Sequence, residues 1–115
     1  MQLADQYASI KALVDVSGVS SLCDTRRPLR EATDEELLRV HTKEYLGTLK
    51  NDASGDAGDY AHYGPGSLHI ARHAAGSAVD AIDVLVDNDE SAKSAYLLCR
   101  PPGHHAEPSR GMGFC

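Results

Sequence analysis

The sequence is poor in aromatic residues and in cysteine, and each shortage excludes a class of protein. Aromatic residues make up 5% of the 115 residues, with one Phe and no Trp. A core would therefore be built mainly from Ala, Leu, Val and Ile. The three cysteines, Cys23, Cys99 and Cys115, are odd in number and widely spaced, which excludes a disulfide framework and a CxxC zinc site. We interpret them as the reduced thiols of a cytoplasmic protein.

Basic residues are also scarce, because 11 Lys and Arg stand against 17 Asp and Glu, for a formal net charge of −6. A general nucleic-acid binder needs clustered positive charge, so we expect no nucleic-acid partner. No apolar run approaches the ~20 residues that cross a membrane, and the N-terminal segment lacks the basic and apolar regions of a signal peptide. We therefore expect one small domain over residues 1–115, without membrane contact.

Apolar periodicity and turn residues predict two elements near the N-terminus. Apolar residues recur at helical steps from Leu3 to Val14, which predicts an amphipathic helix that stops at Gly18. The short stretch from Ser20 to Arg26 weakly predicts a strand, because turn-forming residues bound it on both sides.

The middle of the chain predicts a capped helix, a helical turn and a loop. Thr33 and Glu36 fit the reciprocal capping box at the start of a helix. A helical turn through residues 44–49 follows, with a possible break at Gly47. Residues 51–66 are rich in Gly, Asp and Ala, and form the longest predicted loop.

The strongest pattern predicts a long, alanine-rich helix from Ser67, as its cap, to Asp87. Its polar residues fall on one narrow stripe, so the helix should be buried over most of its circumference. The stripe consists of His69, Arg72, His73, Gly76, Asp80, Asp83 and Asp87.

A near-continuous apolar run from Ser94 to Cys99 is typical of a buried parallel strand. Helices that alternate with strands predict an α/β layered fold. Functional residues of such folds collect at the carboxyl ends of the strands. The segment after Cys99 is therefore the predicted functional loop.

That segment, residues 100–115, reads RPPGHHAEPSRGMGFC and carries two adjacent imidazoles, His104 and His105, close to Glu107. Consecutive side chains usually point apart, so the pair is poorly suited to chelating one metal ion. Paired imidazoles do suit acid/base catalysis near neutral pH. A polar loop with solvated histidines remains the alternative interpretation.

The run RPPGHHAEPSRGMGFC closely resembles the active-site loop of the zinc-dependent histone deacetylase and acetylpolyamine amidohydrolase family, above all its class II and bacterial members. The runs ATDEELLRVHTKEYLGTL and GSLHIARHAAGSAVDAIDVLV resemble the family's helical segments. The resemblance implies a partial arginase/deacetylase-like α/β fold of the three-layer type, with few parallel strands and a long Ala-rich helix.

The resemblance also implies roles for residues of the loop. His104 matches the general base or electrostatic partner of the zinc-bound water, and His105 matches the second acid/base group. Gly113 and Phe114 match residues that line the narrow channel for an acyl-lysine or acyl-polyamine chain. Cys115 matches a family cysteine near the metal.

The zinc ligands that the family uses, an Asp-x-His pair and a further Asp, and its oxyanion Tyr belong downstream of the Gly-Phe-Cys segment. We find no match for them in these 115 residues, so no residue is assigned as a metal ligand. We expect a piece of a longer domain that binds no zinc and is inactive by itself. The alternative is a non-catalytic, self-associating remnant, a homodimer or larger, joined through the exposed sheet edge at Ser94–Cys99 and the Ala-rich helix.

Four further histidines lie outside the loop. His69 and His73 are four residues apart on the long helix, a spacing that can chelate a metal, although two solvated side chains are the more ordinary interpretation. His41 suits the C-terminal end of the capped helix, a structural role. His62 suits the surface, with a pocket lining as the alternative.

Overall fold

The first helix ends where the sequence predicts. In the computed structural model, which describes residues 3–27, 30–87 and 92–115, helix α1 spans Leu3–Val16. Gly18 follows with a φ of 80°. Glycine adopts this left-handed conformation without the steric penalty that a side chain would bring, so the predicted stop is confirmed.

The strand predicted over Ser20–Arg26 is wrong. Val19–Leu22 forms a short 3-10 helix, and residues 23–27 have no regular secondary structure. The Ser21 hydroxyl donates to the Gly18 carbonyl at 2.6 Å, and the Ser21 N–H donates to the same oxygen at 3.1 Å. Serine side chains that bond to nearby backbone favour turns over strands, which explains the difference.

Helix α2 spans Asp34–Leu37 and begins with the predicted capping box. The Glu36 N–H donates to the Thr33 hydroxyl at 3.2 Å, and the Thr33 N–H donates to the Glu36 carboxylate at 2.8 Å. Both groups satisfy backbone donors that the first turn of a helix leaves open. The capping box is confirmed.

Helix α3 spans Lys43–Asn51 and starts at a second threonine cap. The Thr42 hydroxyl accepts a hydrogen bond from the Tyr45 N–H at 3.2 Å. The predicted break at Gly47 is wrong, because the helix continues through this residue. Leu46, on the same helix, is one of the buried hydrophobic residues of the described chain, together with Ala32 and Ala61.

The predicted loop over residues 51–66 contains three strands of two residues each. β1 (Gly55–Asp56) pairs antiparallel with β3 (His62–Tyr63). β2 (Gly58–Asp59) pairs in parallel with β4 (Gly111–Met112). The parallel pairing of the described residues therefore joins this segment to the region after the two histidines.

The strand predicted over Ser94–Cys99 is wrong. These residues have no regular secondary structure, most are exposed, and Tyr96 is 77% exposed. A strand needs a neighbour to pair with, and within residues 3–27, 30–87 and 92–115 no backbone forms a ladder with this run. Its apolar composition alone was insufficient to predict the pairing.

Helix α4 spans Ser67–Val86, close to the predicted range. The cap is different, because Gly66 precedes the helix with a φ of 84° and Ser67 is its first residue. The Ser67 hydroxyl instead accepts from the Gly64 N–H at 3.0 Å. Asp87 follows the last helical residue.

The closest packing of α4 on the rest of the described chain is at Arg72 and Gly76, two residues of its polar stripe. The Ala32 N–H donates to the Arg72 carbonyl at 2.9 Å, and Ala32 is only 1% exposed. Gly76 is buried at this contact, where a Cβ would lie 2.6 Å from the Arg30 carbonyl oxygen. The apolar residues Ile70, Ile82 and Val86 are exposed, so the expectation of burial over most of the circumference is wrong. Ion pairs with residues 30–36 hold the polar stripe instead.

Candidate active-site loop

The two adjacent histidines lie on a tight turn. The Ala106 N–H donates to the Gly103 carbonyl at 3.0 Å, which places His104 and His105 at the corner of the turn. Both residues are exposed, so both imidazoles are accessible from solvent. Their ring centroids are 4.3 Å apart with an interplanar angle of 55°. Neighbouring side chains were expected to point apart, but these two imidazole rings lie side by side, in contact.

A small hairpin follows the histidine turn and is held by an ion pair. The Glu107 N–H donates to the Arg110 carbonyl at 2.9 Å. The Arg110 guanidinium donates to both carboxylate oxygens of Glu107, at 2.8 and 3.0 Å. This bidentate contact lowers the pKa of Glu107.

The start of α3 anchors this hairpin. The Pro108 carbonyl accepts from the Thr42 N–H at 2.9 Å and lies 3.4 Å from His41 Nδ1. The His41 ring also lies against Tyr45, with centroids 5.5 Å apart. His41 therefore has structural partners, and they belong to the loop that carries the histidine pair.

Gly113 and Phe114, the two residues predicted to line a channel, follow directly on β4. The Gly113 N–H donates to the Asp59 carbonyl at 2.7 Å, and Gly113 has a φ of 55°. Phe114 is 70% exposed and Cys115 is partly buried. Within the described residues, no hydrogen bond or ring contact joins Phe114 to the histidine pair.

An open groove of about 440 Å³ lies between α3, the β1–β2 segment and the hairpin. The predicted site residues do not line it. Burial, with a smaller effect of Tyr63, raises the pKa of Tyr45 in this groove. Its lining residues are Thr42, Glu44, Tyr45, Thr48, Leu49, Asp56, Ala57, Gly58, Ser109 and Arg110.

Glu31 lies against two histidines of the polar stripe of α4, His69 and His73, and we call these three side chains the Glu31 cluster. His69 Nδ1 is 2.5 Å from Glu31 Oε1, and His73 Nε2 is 3.7 Å from the same oxygen. The hydrogen bond with His69 is the main reason why the pKa of Glu31 is lowered. The spacing of the two histidines was visible in the sequence, but nothing local placed Glu31 between them.

Further ion pairs join the same helix to the preceding segment. The Arg30 guanidinium donates to both oxygens of Glu36, at 2.8 and 2.9 Å, and to Asp80 at 2.9 Å. The contact with Arg30, followed by the Thr33 backbone N–H, lowers the pKa of Glu36 to about 2. Asp34 accepts from Arg72 at 2.8 Å and also pairs with Lys50, and these two partners lower its pKa.

Tyr60 and His62 are two exposed residues of the segment that contains the short strands. Tyr60 is exposed and has a φ of 55°, the only positive value of a non-glycine residue in the described chain. The sequence carried no signal for this strained backbone. His62 is exposed, with its Nδ1 3.7 Å from Asp56 Oδ2, so its predicted surface position is confirmed.

The donors of the described residues do not fit the zinc site that the resemblance implies. In residues 3–27, 30–87 and 92–115, no three His, Cys, Asp or Glu side chains are arranged to hold a metal ion. His104 and His105 have no carboxylate or thiolate partner in that part of the chain. We therefore derive no metal-dependent step from these residues. None of the described helices is both long and apolar enough to span a bilayer.

Comparison with known proteins gives consistent matches over nearly the whole chain. A family model for the histone deacetylase domain matches residues 3–115. A histone deacetylase-like amidohydrolase of Pseudomonas aeruginosa is 46% identical over 109 residues, which cover 92% of this chain and 28% of the relative. Histone deacetylase clr3 of Schizosaccharomyces pombe is 38% identical over 120 residues, covering 95% of this chain and 17% of the relative.

Comparison with solved structures indicates the same family. A crystal structure of the HDA15 HD domain matches with a TM-score of 0.80 and 33% sequence identity. The match covers 96% of this chain and 32% of that one. The chain thus spans less than a third of the length of each of these three relatives.

Proposed function

Since this chain belongs to the histone deacetylase family, we propose that it carries the proton-transfer segment of an amidohydrolase that acts on acyl-lysine or acyl-polyamine amides. Its fold is the α/β fold of a deacetylase domain. The observation that supports the proposal is the side-by-side placement of His104 and His105 on an exposed turn. A neutral imidazole accepts a proton from the attacking water, and a protonated one supplies the proton that the leaving amine needs.

In this proposal His104 is the general base and His105 the second acid/base group. We also propose, from the resemblance, that Gly113 and Phe114 border the path of the acyl chain; the Gly113 N–H donates to the Asp59 carbonyl. In the part of the chain that the structure describes, the histidine turn has no further donors arranged with it to hold a metal ion. Proton transfer alone supplies about 10²–10⁴-fold in rate, so we propose that these 115 residues by themselves do not hydrolyse acyl-lysine at a measurable rate.

A chimera tests the assignment. Residues 3–115 replace the matching segment of the Pseudomonas amidohydrolase, and the release of acetate from an acetyl-lysine peptide is measured. We expect a folded chimera to be active, and His104→Ala and His105→Ala each to lower kcat by about 10²–10⁴-fold. His62→Ala is the matched control and should leave the rate unchanged, because His62 is exposed away from the turn.

Three results would contradict the proposal. A chimera with native circular dichroism but without activity would show that this segment does not support the hydrolysis. Full activity after both histidines are replaced would remove their role in proton transfer. Turnover by the 115-residue chain alone, abolished by His104→Ala, would refute its proposed inactivity.

As a second function we propose self-association into a homodimer or larger assembly. Tyr96 and Leu97 are exposed on a run whose backbone has no ladder partner among the described residues. On α4, Ile70, Ile82 and Val86 are exposed too. Burying such apolar surface is favourable by roughly 25 cal/mol of free energy per Å², which favours association.

Light scattering at micromolar concentration tests this second proposal. We expect a mass of at least twice 12.3 kDa, and a return to the monomer mass in Leu97→Glu. Leu22→Glu is the control, because Leu22 is exposed on the 3-10 helix, outside the proposed surface. A monomeric wild-type chain would overturn the proposal.

A further inference from the structure

The Glu31 cluster joins ligand-type side chains from two separate segments. His69 and His73 lie one helical turn apart on α4, and Glu31 belongs to the segment that packs against this helix. Both imidazoles approach the same carboxylate oxygen, Glu31 Oε1. We propose that His69, His73 and Glu31 form a binding site for a divalent transition-metal ion, separate from the histidine turn.

The residue types suit such an ion. Side chains four apart on a helix are neighbours on one face, so two imidazoles can approach one ion together. Imidazole nitrogen suits Zn²⁺, Ni²⁺ and Cu²⁺. Two histidines and one glutamate make a known ligand set for Zn²⁺, with the fourth position left to water.

The distances require a small rearrangement. Bonds of about 2.0–2.1 Å in a tetrahedral site place two ligand atoms roughly 3.3–3.4 Å apart. The separation of 3.7 Å between His73 Nε2 and Glu31 Oε1 is close to this value. The contact of 2.5 Å with His69 Nδ1 is a hydrogen bond and must open by roughly 0.8–0.9 Å to meet it. This is why the described side chains, as they stand, do not form a three-donor site.

The surroundings allow that change. The His69 side chain is 77% exposed, so its ring rotates into solvent without displacing packed atoms. Glu31 is held from the other side, because its Oε2 lies 3.2 Å from Arg72 Nε. Arg72 also pairs with Asp34, which offsets the charge that would repel a cation. The ion pair with Arg72 engages Glu31 Oε2 and leaves Oε1 facing the histidines, on a side chain that is 30% exposed.

Metal titration of the whole 115-residue chain, purified without a polyhistidine tag, tests the proposal. Zn²⁺ binding is measured by isothermal titration calorimetry, and Co²⁺ is used as a spectroscopic probe of the ligands. We expect one Zn²⁺ per chain and a Co²⁺ spectrum without thiolate bands. Zn²⁺ should also raise the midpoint of thermal unfolding, because it joins α4 to Glu31.

Variants separate this site from other donors. His69→Ala, His73→Ala and Glu31→Gln should each weaken Zn²⁺ binding by more than about tenfold, the lower bound for loss of an outer partner of a metal ligand. His62→Ala and the double variant His104→Ala/His105→Ala are controls and should bind as the wild type does. Since His69 is exposed, its variant should keep the helical circular dichroism.

The outcomes are decisive and independent of hydrolytic activity. Binding that persists in both His69→Ala and His73→Ala would overturn the proposal. So would binding that is lost in the His104→Ala/His105→Ala control, thiolate bands in the Co²⁺ spectrum, or no binding by the folded wild-type chain. None of these results depends on the proposed amidohydrolase function.

Discussion

Replacing Gly76 by alanine should destabilise the protein, although the same change usually stabilises a helix. In a helix interior, alanine is favoured over glycine by about 1 kcal/mol. At Gly76 an added Cβ would lie 2.6 Å from the Arg30 carbonyl oxygen, 2.8 Å from the Ala32 nitrogen and 2.9 Å from the Glu31 carbonyl carbon. These are backbone atoms, so they cannot rotate away as a side chain would.

The contact distances set the size of the effect. Inserting a group into a packed contact costs about 1–3 kcal/mol. The displacement also weakens the hydrogen bond from the Ala32 N–H to the Arg72 carbonyl, which contributes about 1 kcal/mol. After the gain in helix propensity, we expect Gly76→Ala to lower the free energy of unfolding by about 1–3 kcal/mol.

Gly47→Ala is the matched control. Gly47 lies inside α3, and a Cβ there would meet no atom within 4 Å. We expect this variant to be more stable than the wild type by about 0.5–1 kcal/mol. Urea unfolding followed by far-UV circular dichroism measures both changes. If Gly76→Ala stabilises the protein as much as Gly47→Ala does, the close packing of α4 on residues 30–32 is refuted.

Two further predictions concern the helix caps. Thr42→Ala should lower the free energy of unfolding by about 1 kcal/mol because the Tyr45 N–H loses its acceptor, whereas Thr48→Ala, inside α3, should be neutral or stabilising in the same urea assay. The pKa of Glu36 is lowered from 4.5 to about 2 by Arg30, so its stabilising contribution is complete above pH 4.5 and is lost as the pH falls toward 2. Unfolding measured between pH 6 and 2 should show a smaller acid-dependent loss in Glu36→Gln; an identical pH dependence would contradict this assignment.

Local signals were sufficient for the helices. The apolar spacing of α1, the left-handed Gly18 after it and the capping box at Thr33 depend on residues within a few positions of one another. The same holds for α4, whose composition favours a helix over its whole length. Such features can be predicted from sequence because their physical causes are local.

Non-local contacts were not predictable in the same way. The apolar run Ser94–Cys99 fits a strand, but a ladder needs a partner, and the described residues supply none. The parallel pair joins Gly58 and Gly111, which are 53 positions apart and have no strand-like composition. The side of α4 that packs is decided by Arg30, whose partners Glu36 and Asp80 belong to different helices.

In the candidate site too, local features could be predicted from the sequence and non-local contacts could not. His104 and His105 were predicted from their adjacency and from the motif around them, and the structure places both of them exposed on a turn. Their ring contact required the actual side-chain conformations. The Glu31 cluster needed the packing of residues 30–32 on α4 before its carboxylate could be placed between His69 and His73.

The β2–β4 pair joins the segment over residues 51–63 to the backbone around Gly113, one of the two residues predicted to line a channel. A Cβ on Gly58 would lie 2.3 Å from the Gly111 carbonyl oxygen, so the two backbones touch without intervening side chains. The Gly111 and Gly113 N–H groups donate to the Ala57 and Asp59 carbonyls, both at 2.7 Å. A displacement of Ala57 or Asp59 would therefore move the backbone at Gly111 and Gly113, directly before Phe114. Insertions or substitutions in residues 51–63 would shift this end of the chain while the sequence of the histidine turn stays the same.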